Sequence, residues 1–283
     1  SMLAYAIHNL LITRHARQMD GLSLAIYRNM SLIIGMSPLF LFISIDDLKQ
    51  LPAVLPMIAL GGFFGAISIT LQYLAFQRLP VGVASAFMKT SALFLTLWAY
   101  LFLNESLAPA SLAVIFIIIA TIFYLGLQKN HMPHLNKETE KGIAYAIGNA
   151  FIVSIAFFFL SKASRLVNPL MAAYFWEICI GLSALALGIL RQLTLKQKIT
   201  KIPLKTFGKI AAIGSLTTIG TGGYALAIQL GPIGIASAVG ATAPVVLSLL
   251  SYSYHKEKLK RKQWLGIIIV VLSIVALKIT SDL

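Results

Sequence analysis

Three ionisable side chains interrupt apolar runs in this sequence, and each needs a partner. Arg28, Lys89 and Glu177 all sit in stretches dominated by Leu, Ile, Ala and Phe, where a charge costs on the order of 3 kcal/mol on insertion scales. Lys89 lies roughly eight residues into its run, about 12 Å along a helix. An ammonium at that depth can hold a carboxylate or a phosphate; the structural alternatives are a pair with Glu177 or snorkelling to the surface. Glu177 lies roughly ten residues into its own run. Its carboxylate suits alternate binding of a proton and a substrate amine, or a structural ion pair with Arg28, which occupies nearly the corresponding place in the first half of the chain.

His8, Asn9 and Asn149 are neutral polar groups in otherwise apolar surroundings. They suit substrate contact or hydrogen bonding between helices, and His8 has a side chain that titrates near neutrality. Tyr5, Tyr73, Tyr145 and Tyr224 suit cavity walls or stacking on a cation. Gly62, Gly65 and Gly222 permit close helix packing or local unwinding, and Pro244 would kink its helix. Gly62, Gly65, Gly222 and Pro244 are thus the expected hinges. No phosphate-cradling Gly-rich loop with a following Lys-Ser/Thr is present, which argues against ATP-driven pumping. His131 and His134 stand alone as metal ligands, with no Cys beside them. Neither a metal nor a cofactor is expected, and no clustered acid, base or metal set suggests catalysis. A membrane-embedded enzyme on lipid-linked substrates is the reading from another class.

The elements that must position these groups are long and greasy. The 283 residues are 58% hydrophobic and 11% charged, with a mean hydropathy of +0.86. A soluble domain is roughly one quarter charged, so this chain is an all-α membrane protein. Apolar runs place helices near 2–18, 22–44, 54–78, 81–103 and 107–127, then 142–161, 168–190, 207–230, 232–254 and 262–280. The net charge of +14 falls in short connecting segments, where it meets lipid headgroups rather than nucleic acid. The single Cys179 lies inside an apolar run and reads as packing. Ser1-Met2 resembles an expression remnant before a native start, and the first helix, with no cleavage site after it, is expected to stay as an anchor.

The two halves resemble each other. Ala4-Tyr5-Ala6-Ile7-His8-Asn9 returns as Ala144-Tyr145-Ala146-Ile147-Gly148-Asn149. Gln77, Pro80 and Val83-Ala84-Ser85-Ala86 return as Gln229, Pro232 and Ile235-Ala236-Ser237-Ala238, and Glu105 returns as Glu257. This predicts one five-helix unit over 1–127, a connecting loop over 128–141 and a second unit over 142–283. An odd number of spans inverts the second copy, so ten transmembrane helices form two inverted five-helix repeats with a midplane site between them. Lys89 faces Ala241 in the repeat, a break of symmetry that an asymmetric substrate would require.

The motifs Leu24-Ala25-Ile26-Tyr27-Arg28, Gln77-Arg78-Leu79-Pro80-Val81-Gly82-Val83-Ala84-Ser85 and Asn104-Glu105-Ser106-Leu107 resemble the drug/metabolite transporter superfamily, in its EamA-type branch of ten-helix carriers. Gln229-Leu230-Gly231-Pro232 and Lys256-Glu257-Lys258-Leu259 repeat two of them. The family's tryptophan-glycine pair in the first helix is replaced here by Ala4-Tyr5. The resemblance implies a secondary active transporter of small polar metabolites, foremost amino acids or related zwitterions, often an exporter, in the bacterial inner membrane. It implies spans two and seven away from the main cavity. A cationic drug or quaternary-amine exporter using Glu177 and tyrosines is the alternative. Expected partners are a small-molecule substrate, the lipid bilayer and a proton or another coupling ion, with the chain a monomer or homodimer. Both termini lie on one side, and two signals disagree on which: the resemblance implies the cytoplasm, whereas Lys and Arg are concentrated after the odd-numbered spans and argue for the outside.

Overall fold

In the computed structural model, residues 2–105, 108–126, 136–243, 245–246 and 261–281 are described. Among them there is no strand. Helices α1 (Met2–Ala16), α2 (Gly21–Gly35), α3 (Ile45–Arg78), α4 (Val81–Met88), α5 (Ser91–Leu103) and α6 (Pro109–Gly126) are followed by α7 (Lys137–Leu166), α8 (Pro169–Leu195), α9 (Leu204–Leu230), α10 (Ile233–Ala241) and α11 (Arg261–Ser281). Five stretches among the described residues are long and apolar enough to cross a bilayer: α3, α4 with α5, α7, α8 and α9. Their outward faces carry Phe102, Leu193 and Leu230, each more than half exposed, as a lipid-facing surface requires.

The helix boundaries have local causes. Asp20 caps α2, accepting from the backbone N–H groups of Leu22 and Ser23, and Asn168 caps α8 in the same manner through Leu170 and Met171. The span anticipated over 22–44 stops at Gly35, because Pro38 lacks an N–H and the chain tightens into a 3-10 turn over Ser37–Phe42. α3 starts nine residues before the anticipated 54: Ser44 and Asp47 form a reciprocal capping box that draws a polar turn into the helix despite Pro52 and Pro56. Asn136 similarly starts α7 ahead of 142.

The stretch 81–103, anticipated as one helix, is broken at Lys89 and Thr90. The amide N–H of Thr90 turns back to the carbonyl of Phe87, that of Ala92 to Lys89 and that of Leu93 to Thr90, a tightened turn in place of the α pattern. The Thr90 hydroxyl donates to the same Phe87 carbonyl at 2.7 Å. The end of α10 repeats the arrangement: both the amide N–H and the hydroxyl of Thr242 donate to the Val239 carbonyl, the hydroxyl at 2.7 Å. Gly240 lies in the second turn, but no glycine lies in the first. Gly62, Gly65 and Gly222 lie inside unbroken helices, so the local unwinding expected at these three occurs instead at the threonines. Pro244 lies outside the described residues, as do His131, His134 and Glu257.

What Gly62 and Gly65 provide is close approach. A Cβ on Gly62 would lie 2.4 Å from Cβ of Cys179, and one on Gly65 2.7 Å from Ile180, so α3 and α8 cross almost backbone to backbone. α3 also packs along α7, and α2 along α8 and α9. The main apolar core runs through α1, α2, α3, α7, α8 and α9, with Ile12, Leu24, Ile58, Phe76, Leu160 and Met171 fully buried. A second cluster joins α5, α6, α10 and α11 around Ile115, Ile118, Ala238 and Val270.

Candidate functional site

A cavity of about 140 Å³ opens inside the bundle. α1 contributes Tyr5, His8 and Asn9; α2 contributes Arg28; α3 contributes Ser68 and Gln72; the α4–α5 break contributes Lys89 and Ser91. α7 adds Asn149 and Phe157, and α8 adds Trp176 and Glu177. A smaller chamber of about 60 Å³ shares Tyr5, Lys89, Ser91 and Phe157 and continues to Tyr224, Ser237 and Ala241. The break in the helix brings Lys89 to both.

The floor of this cavity is a saturated ion pair. Arg28 Nη1 meets Glu177 Oε2 at 2.8 Å, with side-chain exposures of 4% and 2%. Asn29 Nδ2 donates to the same Oε2 at 2.9 Å, and Thr221 Oγ1 donates to Oε1 at 2.6 Å. The Thr221 proton being so committed, Tyr5 donates its hydroxyl to Thr221 at 2.8 Å. Both carboxylate oxygens are thus engaged, and one network ties α1, α2, α8 and α9 together. Pairing of this kind makes a buried charge tolerable. Arg28 and Glu177 line the cavity, contrary to the expectation that their helices stand apart from it.

The amide side is equally ordered. Gln72 Nε2 donates to Asn9 Oδ1 at 3.0 Å, and His8 Nδ1 lies 3.1 Å from the same oxygen. A carbonyl oxygen only accepts, so Nδ1 carries the proton and the opposite nitrogen of a neutral His8 has a lone pair. That Nε2 is buried without a hydrogen-bond partner. Asn149 Nδ2 donates to the backbone and hydroxyl oxygens of Ser68 at 2.8 and 3.0 Å. Asn9 and Asn149 therefore each grip α3 rather than each other.

Lys89 stands apart from all of this. It is partly exposed into the cavity, no carboxylate among the described residues lies within 4 Å of its ammonium, and its side chain makes no hydrogen bond among them. The proposed pair with Glu177 is absent because Arg28 already occupies that carboxylate. Just beyond Lys89 begins α5, whose N-terminal end carries the partial positive charge of its aligned peptides.

The chain is similar to one family, one curated protein and one solved structure. The model of the EamA-like transporter family matches residues 1–127 and 140–278. The chain belongs to the EamA-like transporter family. Mouse solute carrier family 35 member G1 is 28% identical over 126 residues, which is 42% of this chain and 34% of the mouse protein. The matched stretch thus spans about a third of that relative's length. A solved crystal structure, 16% identical, covers 99% of this chain and 95% of its own with a TM-score of 0.71, a likeness of fold. With its long apolar helices, the chain is an integral membrane protein.

Within this EamA-like fold, Lys89, His8, Asn9, Asn149 and Tyr5 share the larger cavity with Arg28 and Glu177, and Tyr224 joins them in the smaller chamber with its hydroxyl 2.9 Å from Ser237 Oγ. Tyr73 does not line either; it is fully buried with its hydroxyl unpartnered. Tyr145 lies under the Arg78 guanidinium, 5.0 Å from the ring centre. Gln72, Ser68, Ser91, Phe157 and Trp176 escaped the sequence reading. Gln72 alone carried a signal, an amide within an apolar stretch three residues after Ile69.

Proposed function

We propose that this protein is a secondary active transporter that moves small polar metabolites bearing a carboxylate, amino acids and related zwitterions among them, by alternating access, in the export direction and in a bacterial inner membrane. The carrying observation is the Lys89 ammonium, without a carboxylate partner among the described residues, on the wall of a cavity of about 140 Å³. A cation inside a bundle, with no carboxylate among the described residues to pair it, is a binding group for an anion. A proton or another ion is the coupling partner in this reading, and the chain works as a monomer or homodimer.

The same reading takes the chain as ten spans in two inverted five-helix units, 1–127 and 142–283, with α4 and α5 as one span. Three observations support it. The family model aligns to both halves. Asp20 and Asn168 cap the second helix of each half alike. Thr90 and Thr242, at the Gln77–Gln229 offset, break the fourth helix of each half alike. Discontinuous helices at matched positions are where carriers of this construction bind substrate.

Uptake of labelled amino acids into proteoliposomes tests the assignment. Saturable uptake accelerated by internal substrate is expected, abolished by Lys89→Ala and largely kept by Lys89→Arg. Uptake unaffected by both variants refutes the role of Lys89. The cationic-amine alternative is the weaker one, since the Glu177 charge is already neutralised by Arg28 at 2.8 Å.

A further inference from the structure

The charges around the cavity do not sum to zero. Arg28 and Glu177 cancel at 2.8 Å, and Asn29 and Thr221 complete the carboxylate's shell. His8 is held through Nδ1 by Asn9, and its buried Nε2 has no acceptor beside it that would support a proton, so the ring is neutral. Among the described residues that leaves one uncompensated unit of positive charge, Lys89. A cation in a low-dielectric site is relieved fully only by a ligand of equal and opposite charge. A zwitterionic amino acid would neutralise the lysine with its carboxylate and then bring in an ammonium that needs a carboxylate of its own. Among the described residues lining the cavity the one carboxylate is Glu177, and its charge is already spent on Arg28. The acceptors left are neutral, among them His8 Nε2, buried and unpartnered on the cavity wall. A neutral acceptor takes a hydroxyl proton without a second charge to compensate.

We propose that the preferred substrate is a small monocarboxylate with net charge −1 and a hydroxyl beside the carboxylate, a 2-hydroxy acid class, in preference to the zwitterionic 2-amino acid of the same shape. This rests on the assignment of the Lys89 cavity as the substrate site. The carboxylate sits on Lys89 and the hydroxyl donates to His8 Nε2. The apolar remainder lies against Phe157, Trp176 and Ile180. The larger chamber, about 140 Å³, is close to the roughly 150 Å³ in which an apolar cavity accepts a benzene-sized guest. Substrates of about six to ten non-hydrogen atoms follow from that comparison.

Matched pairs test the charge. Lactate with alanine, 2-hydroxy-3-methylbutanoate with valine and 2-hydroxy-4-methylpentanoate with leucine differ within each pair only in the group beside the carboxylate. Thermal stabilisation of the purified full chain is measured against each compound, together with competition for uptake in proteoliposomes. At least one hydroxy acid is expected to act at a tenfold or lower concentration than its amino partner, a preference kept in Lys89→Arg and lost in Lys89→Gln. His8→Phe is expected to narrow the difference between lactate and propionate, the acid lacking the hydroxyl. In the absence of any ligand, Lys89→Met is expected to melt at or above the parent temperature, because it removes an unpaired charge. Amino acids that bind as well as or better than their partners, while Lys89→Gln still weakens both, overturn the charge preference and leave the site assignment standing. Binding of both unchanged in Lys89→Gln overturns the site itself. Failure of every acid to stabilise or compete, or a clear fall in melting temperature of empty Lys89→Met, also overturns the proposal.

Discussion

Replacing Glu177 by alanine removes the one carboxylate that faces Arg28. Arg28 is 3% exposed, and among the described residues its one remaining side-chain acceptor would be Asn29 Oδ1 at 2.9 Å, with Nε already unpartnered. Breaking a buried pair by deleting one member costs about 3–5 kcal/mol, because a bare charge is left behind. Thr221 and Asn29 lose an acceptor as well, each adding on the order of 1 kcal/mol. At roughly 2–4 °C per kcal/mol for a chain near this size, the melting temperature in mild detergent should fall by on the order of 10 °C. The decisive comparison is Arg28→Met with Glu177→Met in one chain. Removing both charges is neutral or stabilising by about 1–4 kcal/mol in comparable buried pairs, so the double variant should recover most of the loss. Denaturant titration followed by helical circular dichroism reads both. A Glu177→Ala protein within about 1 kcal/mol of the parent, or a double variant as unstable as the single one, would refute the view that this network exists to neutralise Arg28.

Two further outcomes follow from the packing and the caps. Gly62→Ala should cost about 1–3 kcal/mol, since its Cβ would lie 2.4 Å from that of Cys179 and 2.8 Å from the backbone behind it; Gly82→Ala, with nothing within 4 Å, should be harmless in the same melting assay. Asp20 should make stability pH-dependent at the acid end. Burial pushes its carboxyl up, but Arg191 at 2.7 and 3.2 Å and Ser23 outweigh that and hold it below its usual value. The unfolded chain therefore binds this proton more readily, so the stabilisation is complete above about pH 4 and is lost as pH falls through the folded value. Asp20→Asn keeps the helix cap, removes this acid-dependent part, and at pH 7 should lose only about 0.2–1 kcal/mol, the carboxyl being a third exposed. Melting at pH 7 and pH 3 compares the two proteins.

How far the sequence reveals such a site depends on what kind of contact makes it. Lys89, Glu177 and Arg28 are legible because a charge in an apolar run is costly wherever the run folds. Their partners are not, since Arg28 and Glu177 lie 149 residues apart and only tertiary packing decides that Glu177 meets Arg28 rather than Lys89. Composition and hydropathy pointed to membrane helices, and the start of α3 was there to be read in Ser44 and Asp47, a cap signal overshadowed by Pro52 and Pro56. The break after Met88 carries no such mark: Lys89-Thr90 holds neither proline nor glycine, and the threonine hydroxyl that satisfies the Phe87 carbonyl could as well have faced solvent. The glycines drew attention as hinges because their backbone is permissive, yet in α3 their use is the absence of a side chain where α8 crosses.

The two kinds of wall around the cavity have different rigidity. On one side, Tyr5, Thr221, Glu177, Arg28 and Asn29 bond α1, α2, α8 and α9 into one unit through contacts of 2.6–2.9 Å, all but that of Tyr5 with Thr221 charge-assisted. On the other, Lys89 sits at a joint between two half-helices closed by short backbone turns, with no side-chain bond of its own among the described residues. Alternating access requires one body to move against another around the ligand. A carboxylate on Lys89 whose other end meets His8 would span the gap between the loosely tied joint and helix α1 of the bonded unit. Substrate then supplies a connection that the empty protein lacks, which is how binding energy can favour an occluded state: a ligand shifts such an equilibrium only by what it contacts in one state and not in the other.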